Sequence, residues 1–152
     1  GEEHSDHREQ FLVERLRNSD AFVPELSLVA ETGGTLAGHI LLTKLKIVSD
    51  CAEEAGSLAL APVAVLPAYQ GNGIGGRLIR AAHEKAREMG FGSVILLGHP
   101  AFYPKFGYRP LKEFGIKLPF DVPDECCMAI ELTEGALCNI SGTVRYPDPF
   151  FE

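Results

Sequence analysis

The segment Val65-Leu66-Pro67-Ala68-Tyr69-Gln70-Gly71-Asn72-Gly73-Ile74-Gly75-Gly76 places four glycines within six residues, between an apolar run and an amphipathic one. Glycine lacks a Cβ, so neighbouring amides there can turn into one concavity. The first turn of a helix then adds unpaired N–H donors and a partial positive charge of about half a unit. A loop of this kind holds an anion, above all phosphate. It also imposes a strand–loop–helix order. With the apolar run Ser93-Val94-Ile95-Leu96-Leu97 that follows, it predicts a βαβ crossover whose second strand is covered on both faces by helices.

Three phosphate-binding loops compete for the segment. A Walker loop requires Lys-Ser or Lys-Thr after its glycines, and neither is present. Gly71-x-Gly73-x-x-Gly76 satisfies the dinucleotide pattern G-x-G-x-x-G literally, but the residues from Leu66 to Gln70 separate Val65 from the first glycine. The next strand also ends Leu96-Leu97-Gly98-His99, without the carboxylate that would hold a ribose. The third pattern, Q/R-x-x-G-x-G/A, is met by Gln70-Gly71-Asn72-Gly73-Ile74-Gly75, with a strand and turn before it and a helix after.

A second motif lies downstream in Phe102-Tyr103-Pro104-Lys105-Phe106-Gly107-Tyr108, of the form F-Y-x-K-x-G-F/Y. On these two ordered motifs the chain resembles the GNAT superfamily of N-acetyltransferases, over about residues 25 to 131. Gly98-His99-Pro100-x-Phe102-Tyr103 and the segment Ser141-Gly142-Thr143-Val144-Arg145-Tyr146-Pro147 look like its bacterial YhbS-like branch. The resemblance implies an α/β (α+β) GNAT acyl-CoA N-acyltransferase fold, a mixed central sheet flanked by helices with splayed central strands. It implies acetyl-CoA as cosubstrate and direct, sequential transfer of its acetyl group to a primary amine, with no acyl-enzyme. The superfamily usually opens with a strand and a helix ahead of the first helix recognisable here, so an N terminus shortened or rearranged relative to the family is expected.

At 152 residues and 45% hydrophobic content, the chain reads as one globular domain over residues 1–152. Its net charge of -7 argues against nucleic acid as a partner, which needs a concentrated basic face. Arg77 and Arg80 beside the glycines either supply local charge to a polyanionic cofactor or form a solvated helix face. The cysteines Cys51, Cys126, Cys127 and Cys138 form no C-x-x-C pair and have no histidine at zinc-ligand spacing, so no metal is expected. Free thiols, no recognisable signal peptide and no apolar run near 18 residues lead to the expectation of a cytoplasmic protein without a membrane partner. His4-x-x-His7 reads as tail. Phe150-Phe151 either packs back on the domain or forms a dimer contact, leaving monomer and homodimer open.

Along the chain, Asp6 and Glu9 have capping-box spacing for a helix over about residues 6 to 18. Leu26 to Glu31 and Leu36 to Val48 read as a hairpin closed by Thr32-Gly33-Gly34, and Ser57 to Val65 as a further strand. Ile74, Leu78, Ala82, Ala86 and Met89 form a helical stripe that Gly90 ends, with His83 on the surface, as is His39 on its strand. A short helix from Pro100 to Phe106 and strands near Lys112 to Leu118 and Cys127 to Leu132 complete the sheet.

The chemistry needs a held thioester, an aimed amine, and an acid for the departing thiolate. Pro62 lacks an N–H and marks a bulge between Ala61 and Val65, with Val63 and Val65 as backbone donors to pantetheine. Gln70, Gly71, Asn72, Gly73, Ile74, Gly75, Gly76 and Arg77 are the pyrophosphate candidates. Phe102 reads as a wall beside the cofactor, and Phe106 as core that borders it. In the resembling family the tyrosine at the position of Tyr103 is the general acid; ordinary packing is the alternative. His99 is placed either to remove the amine proton or to cap a helix start, with a water relay as the rival base. A CoA-binding module of the same fold without turnover is the competing function. The acidic chain favours a cationic acceptor such as a polyamine, an aminoglycoside or a peptide N terminus.

Overall fold

The computed structural model describes residues 21–71 and 73–146, with the backbone alone for residues 61 and 62. The expected helix over residues 6 to 18, the His4/His7 tail, Asn72 and Phe150-Phe151 lie outside the described residues.

The hairpin forms as predicted from β1 (Phe22–Thr32) and β2 (Thr35–Val48), with Gly33 and Gly34 at φ 58° and 82°. Positive φ at both turn positions matches the twist of the flanking strands. β2 then pairs antiparallel with β3 (Glu54–Val65). The glycine loop leads into α1 (Ile74–Glu88), and the chain returns as β4 (Ser93–Leu97), parallel to β3. Gly90, at φ 92°, stops the helix: its N–H donates to the Arg87 carbonyl and that of Phe91 to the Ala86 carbonyl.

Four short strands complete the sheet: β5 (Arg109–Pro110), β6 (Ile116–Lys117), β7 (Cys127–Glu131) and β8 (Gly142–Arg145). The order is β5-β7-β4-β3-β2-β8-β6, with β1 also on β2, parallel at β3–β4 and β6–β8 and antiparallel elsewhere. The sheet is mixed, as expected. The strand expected over Lys112 to Leu118 is instead a 3₁₀ turn, Leu111–Phe114, then Gly115 at φ 73°, then the two residues of β6. A left-handed residue in mid-run breaks an extended strand. The helix expected from Pro100 to Phe106 is a 3₁₀ turn at Tyr103–Phe106, closed by Gly107 at φ 105°.

Strict alternation divides the core between the two faces of the sheet. Leu58, Val94, Leu96 and Met128 pack with Ile74, Leu78, Ile79, Ala82 and Ala86 of α1. Ala59, Ile95, Cys127 and Ala129 face the other way, onto Leu111, Ile116, Leu137 and Val144. Both faces of β4 are covered as predicted, although among the described residues only one of them is covered by an α-helix. Met89, expected in the helical stripe, is 39% exposed, because it is the C-cap just past the end of the helix rather than part of its buried face.

Candidate active site

The sheet is forked between β3 and β4. At the closed end the Ser57 and Ser93 hydroxyl oxygens lie 2.7 Å apart, and Ser57 Oγ donates to the Ser93 carbonyl at 3.2 Å. Pairing runs through Leu58–Val94 and Ala59–Ile95 and then stops. β4 continues antiparallel to β7 as far as Leu97–Cys127, and the Gly98 N–H donates to the Cys126 carbonyl at 2.9 Å, so it is drawn away from β3. β3 bends as well. Its register against β2 moves from Leu41–Ala61 to His39–Ala64, which inserts one extra residue at Pro62–Val63. Such a bulge kinks a strand and increases its twist.

Beyond the bulge, the Leu66 N–H donates to the Ala37 carbonyl, so that end of β3 still faces β2 at Leu66. Backbone groups alternate sides along a strand, and the amide of Val65 therefore faces the open fork, whereas Val63 lies in the bulge itself, where that alternation is broken. The Val65 carbonyl on that side accepts from Gln70 Nε2 at 3.0 Å, which fixes the start of the glycine loop. Gly71 and Gly73 take φ 87° and 77°, a left-handed backbone that other residues enter at a cost. Gly73 caps α1 without a side-chain hydrogen bond, and no acidic residue occupies the first turn. The first amides of the helix are thus left to an outside acceptor.

A cavity of about 490 Å³ opens over this loop, lined by Val65, the loop from Tyr69 to Gly76 as far as it is described, Arg80, Phe102, Lys105 and Phe106. The structure therefore brings together Val65, Gln70, Gly71, Gly73, Ile74, Gly75, Gly76, Phe102 and Phe106 of the sequence-derived set. Phe106 is half-buried, with its ring against Gly76, and it belongs to the cavity wall as well as to the edge of the core. Val63 and Arg77 do not line the cavity, and Arg77 is exposed. The wall contains two cations that sequence reasoning underrated or missed. The Arg80 guanidinium lies 4.8 Å from the Phe106 ring centre, and Lys105 Nζ lies 4.4 Å from that of Phe102. The signal for Arg80 was its spacing: it follows Gly76 by four positions and so shares that face of the helix, whereas Arg77 is rotated away from it.

Tyr103 stands behind Phe102, edge-on at 5.0 Å between ring centres, and a Cβ on Gly98 would overlap its ring. Burial pushes its phenol above the ordinary value of 10.0, so it carries its proton at neutral pH. Tyr103 in turn packs edge-on against Tyr108, at 5.8 Å. The Tyr108 hydroxyl lies 2.8 Å from Nε2 of His83, which corrects the placing of His83 on the helix surface: it is 6% exposed. Desolvation lowers the His83 pKa to about 4, with a smaller contribution from Arg87, and burial raises that of Tyr108. His39 is half-buried rather than on the surface, with Nε2 3.3 Å from Ser27 Oγ. His99 is exposed and lines neither this cavity nor the fork; its Nδ1 accepts the Ala101 N–H at 3.1 Å, as a cap would. Among the described residues no cluster of His, Cys, Asp and Glu is arranged to hold a metal ion, and no helix is long and apolar enough to cross a membrane.

A forked mixed sheet with an uncapped, glycine-led helix at its mouth is the architecture of acyl-CoA N-acyltransferases. The chain matches the Acetyltransferase (GNAT) family over residues 2–108 and belongs to that family, which makes it an acyltransferase. It is 38% identical to the uncharacterized N-acetyltransferase YjhQ of Escherichia coli K12 over 146 residues, spanning 93% of this chain and 80% of that protein. The crystal structure of Escherichia coli YhbS in complex with CoA superposes with a TM-score of 0.86 at 25% identity, over 95% of this chain and 78% of that one. A GNAT family acetyltransferase from Brucella melitensis in complex with acetyl-CoA superposes with a TM-score of 0.73 at 31% identity, over 97% and 80% of the two chains.

Proposed function

We propose that this acetyltransferase moves the acetyl group of acetyl-CoA directly onto a primary amine, with the pyrophosphate on the amides of the loop from Gly71 to Gly76. The observation that carries the reading is the cavity over the glycine loop, whose floor is unpaired helix amides and whose wall carries Arg80 and Lys105 in a chain of net charge -7. Relatives crystallised with CoA and acetyl-CoA support it. Arg80 is the side-chain cation assigned to the phosphates, with Arg77 left to a peripheral contact. The outward amide of Val65, with Val63 in the bulge beside it, offers pantetheine an added-strand edge. Phe102 and Phe106 cover it from the other side.

Bound acetyl-CoA supplies an activated acyl group. Tyr103, neutral and held edge-on by Phe102 and Tyr108, is the acid that protonates the departing thiolate. Removal of the amine proton falls to water rather than to His99. A backbone N–H already occupies His99 Nδ1, so in the neutral ring Nε2 carries the hydrogen and has no free lone pair.

Stopped thiol-release assays test these roles. Tyr103→Phe is expected to lower kcat roughly ten- to a thousandfold with CoA affinity nearly unchanged. An unaltered kcat at saturating amine removes Tyr103 from the mechanism. His99→Ala is expected to leave the pH–rate profile in place. Heat of CoA binding without thiol release from any amine would identify the non-catalytic CoA-binding module instead.

A further inference from the structure

We infer that the acceptor is a primary monoamine carried on a compact, ring-bearing apolar body, seated in the fork of the sheet against Leu97, Phe120 and Tyr146. The inference rests on the acetyl-transfer reading above and names the substrate class of that site. The fork holds a second cavity, of about 250 Å³, between the parting strands at Ala59–Leu60 and Ile95–Leu97, with Phe120 and Tyr146 as its outer wall. Through Leu96 it borders the packing around Tyr103 at the end of β4. Leu96, which lines the cavity, and the ring of Tyr103 both approach the Cα of Gly98 so closely that a Cβ there would touch both.

Every residue lining this cavity is aliphatic or aromatic. The phenol of Tyr146 is held neutral, since burial raises its pKa to about 12. No carboxylate among the described residues faces the cavity, so the second ammonium of a polyamine would be desolvated without a partner. A volume of about 250 Å³ lies below the range of about 300–1,000 Å³ typical of drug-sized ligands and favours a compact body over an aminoglycoside. The rings of Phe120 and Tyr146 lie 6.1 Å apart at 12°, presenting aligned π-faces, and Phe120 and Leu97 are 44% and 47% exposed. Burying such groups under a flat apolar ligand is favourable, and aromatic contacts add to the gain. These walls overrule the cationic acceptor suggested by net charge, because net charge acts at long range and the pocket lining acts at contact.

In the reaction the free-base nitrogen bonds to the acetyl carbonyl carbon and the C–S bond breaks. One amine proton leaves to water, the sulfur takes the Tyr103 proton, solvent returns a proton to the Tyr103 phenolate, and the products are the N-acetylated amine and CoA thiol.

The test uses the full chain loaded with CoA, titrated with 2-phenylethylamine or spermidine, alongside thiol release from acetyl-CoA with the same amines. Phenylethylamine is expected to bind and to react with a kcat/KM at least about tenfold above that of spermidine. Phe120→Ala is expected to raise its Kd and KM about three- to tenfold while the acetyl-CoA KM stays constant. Leu97→Glu, at an exposed position, is expected to shift preference towards spermidine. Equal or better use of spermidine by the parent chain, or an unchanged Kd in Phe120→Ala, overturns the inference. If CoA itself gives no binding heat, the acetyl-transfer reading falls and this inference with it. If CoA binds and phenylethylamine does not, this inference alone falls.

Discussion

Tyr103 and His83 show how burial sets the use of a titratable group. The raised pKa of Tyr103 keeps the acid protonated through and beyond the neutral range, so the alkaline limb of kcat for the proposed transfer is expected above pH 10.0. A fall in kcat centred below pH 9 that Tyr103→Phe abolishes would contradict that ionisation. His83 works in the opposite sense. Its folded pKa of about 4 lies below the ordinary 6.5, so the unfolded chain binds the extra proton first. Its contribution to stability is complete above pH 6.5 and is lost as pH falls from there towards about 4, amounting to roughly 3 kcal/mol at most. Urea denaturation at pH 7.5 and 4.5 is expected to show this slope, and His83→Gln, which can still hydrogen-bond Tyr108, is expected to flatten it. An identical slope in the variant would assign the acid sensitivity to other groups.

The strand fork and the glycine loop are built from a few backbone decisions. Ser57 and Ser93 close the fork, and both are buried. Ser57→Ala leaves the Ser93 hydroxyl without its partner and is expected to destabilise the fold by about 1–3 kcal/mol in urea titration. A midpoint equal to that of the parent would mean that the serine pair is not what holds the strands together. Gly73→Ala places a Cβ on a left-handed residue, a cost of roughly 1–2 kcal/mol that biases the loop away from its anion-holding form. CoA affinity is expected to fall about five- to thirtyfold by calorimetry, with the melting temperature little changed; an unchanged affinity would detach the loop from the cofactor.

These same elements were the legible ones. The hairpin, β3, α1 and β4 announce themselves through local periodicity and turn glycines, and the bulge through Pro62. β5, β6 and β8 did not, because strands of two to four residues exist only through partners far along the chain. Gly142 illustrates the point: a Cβ there would overlap the Val48 carbonyl, a requirement set by β2 and invisible locally. His83 sits four positions after Ile79 on the apolar face, a readable signal, but its partner Tyr108 lies 25 residues away. The cavity over the glycine loop is largely legible because one contiguous loop builds much of it. The fork cavity is not, because Leu60, Leu97, Phe120 and Tyr146 converge only when the sheet has formed.

For the molecule as a whole, the proposed grip of an acidic chain on a polyanion rests on concentrating donors at one place. Backbone amides of the glycine loop, Arg80 and Lys105 converge on one cavity, and the fork of the sheet holds a second, apolar one. The division of labour requires that the phosphates, rather than the pantetheine arm, supply most of the cofactor affinity. Calorimetric titration of the folded chain with CoA and, separately, with pantetheine lacking the nucleotide and phosphates measures this. CoA is expected to bind at least about tenfold more tightly than pantetheine, as several amide and cation contacts to phosphate require. Equal affinities, or no heat with CoA, would contradict the assignment of the loop from Gly71 to Gly76 as the phosphate site.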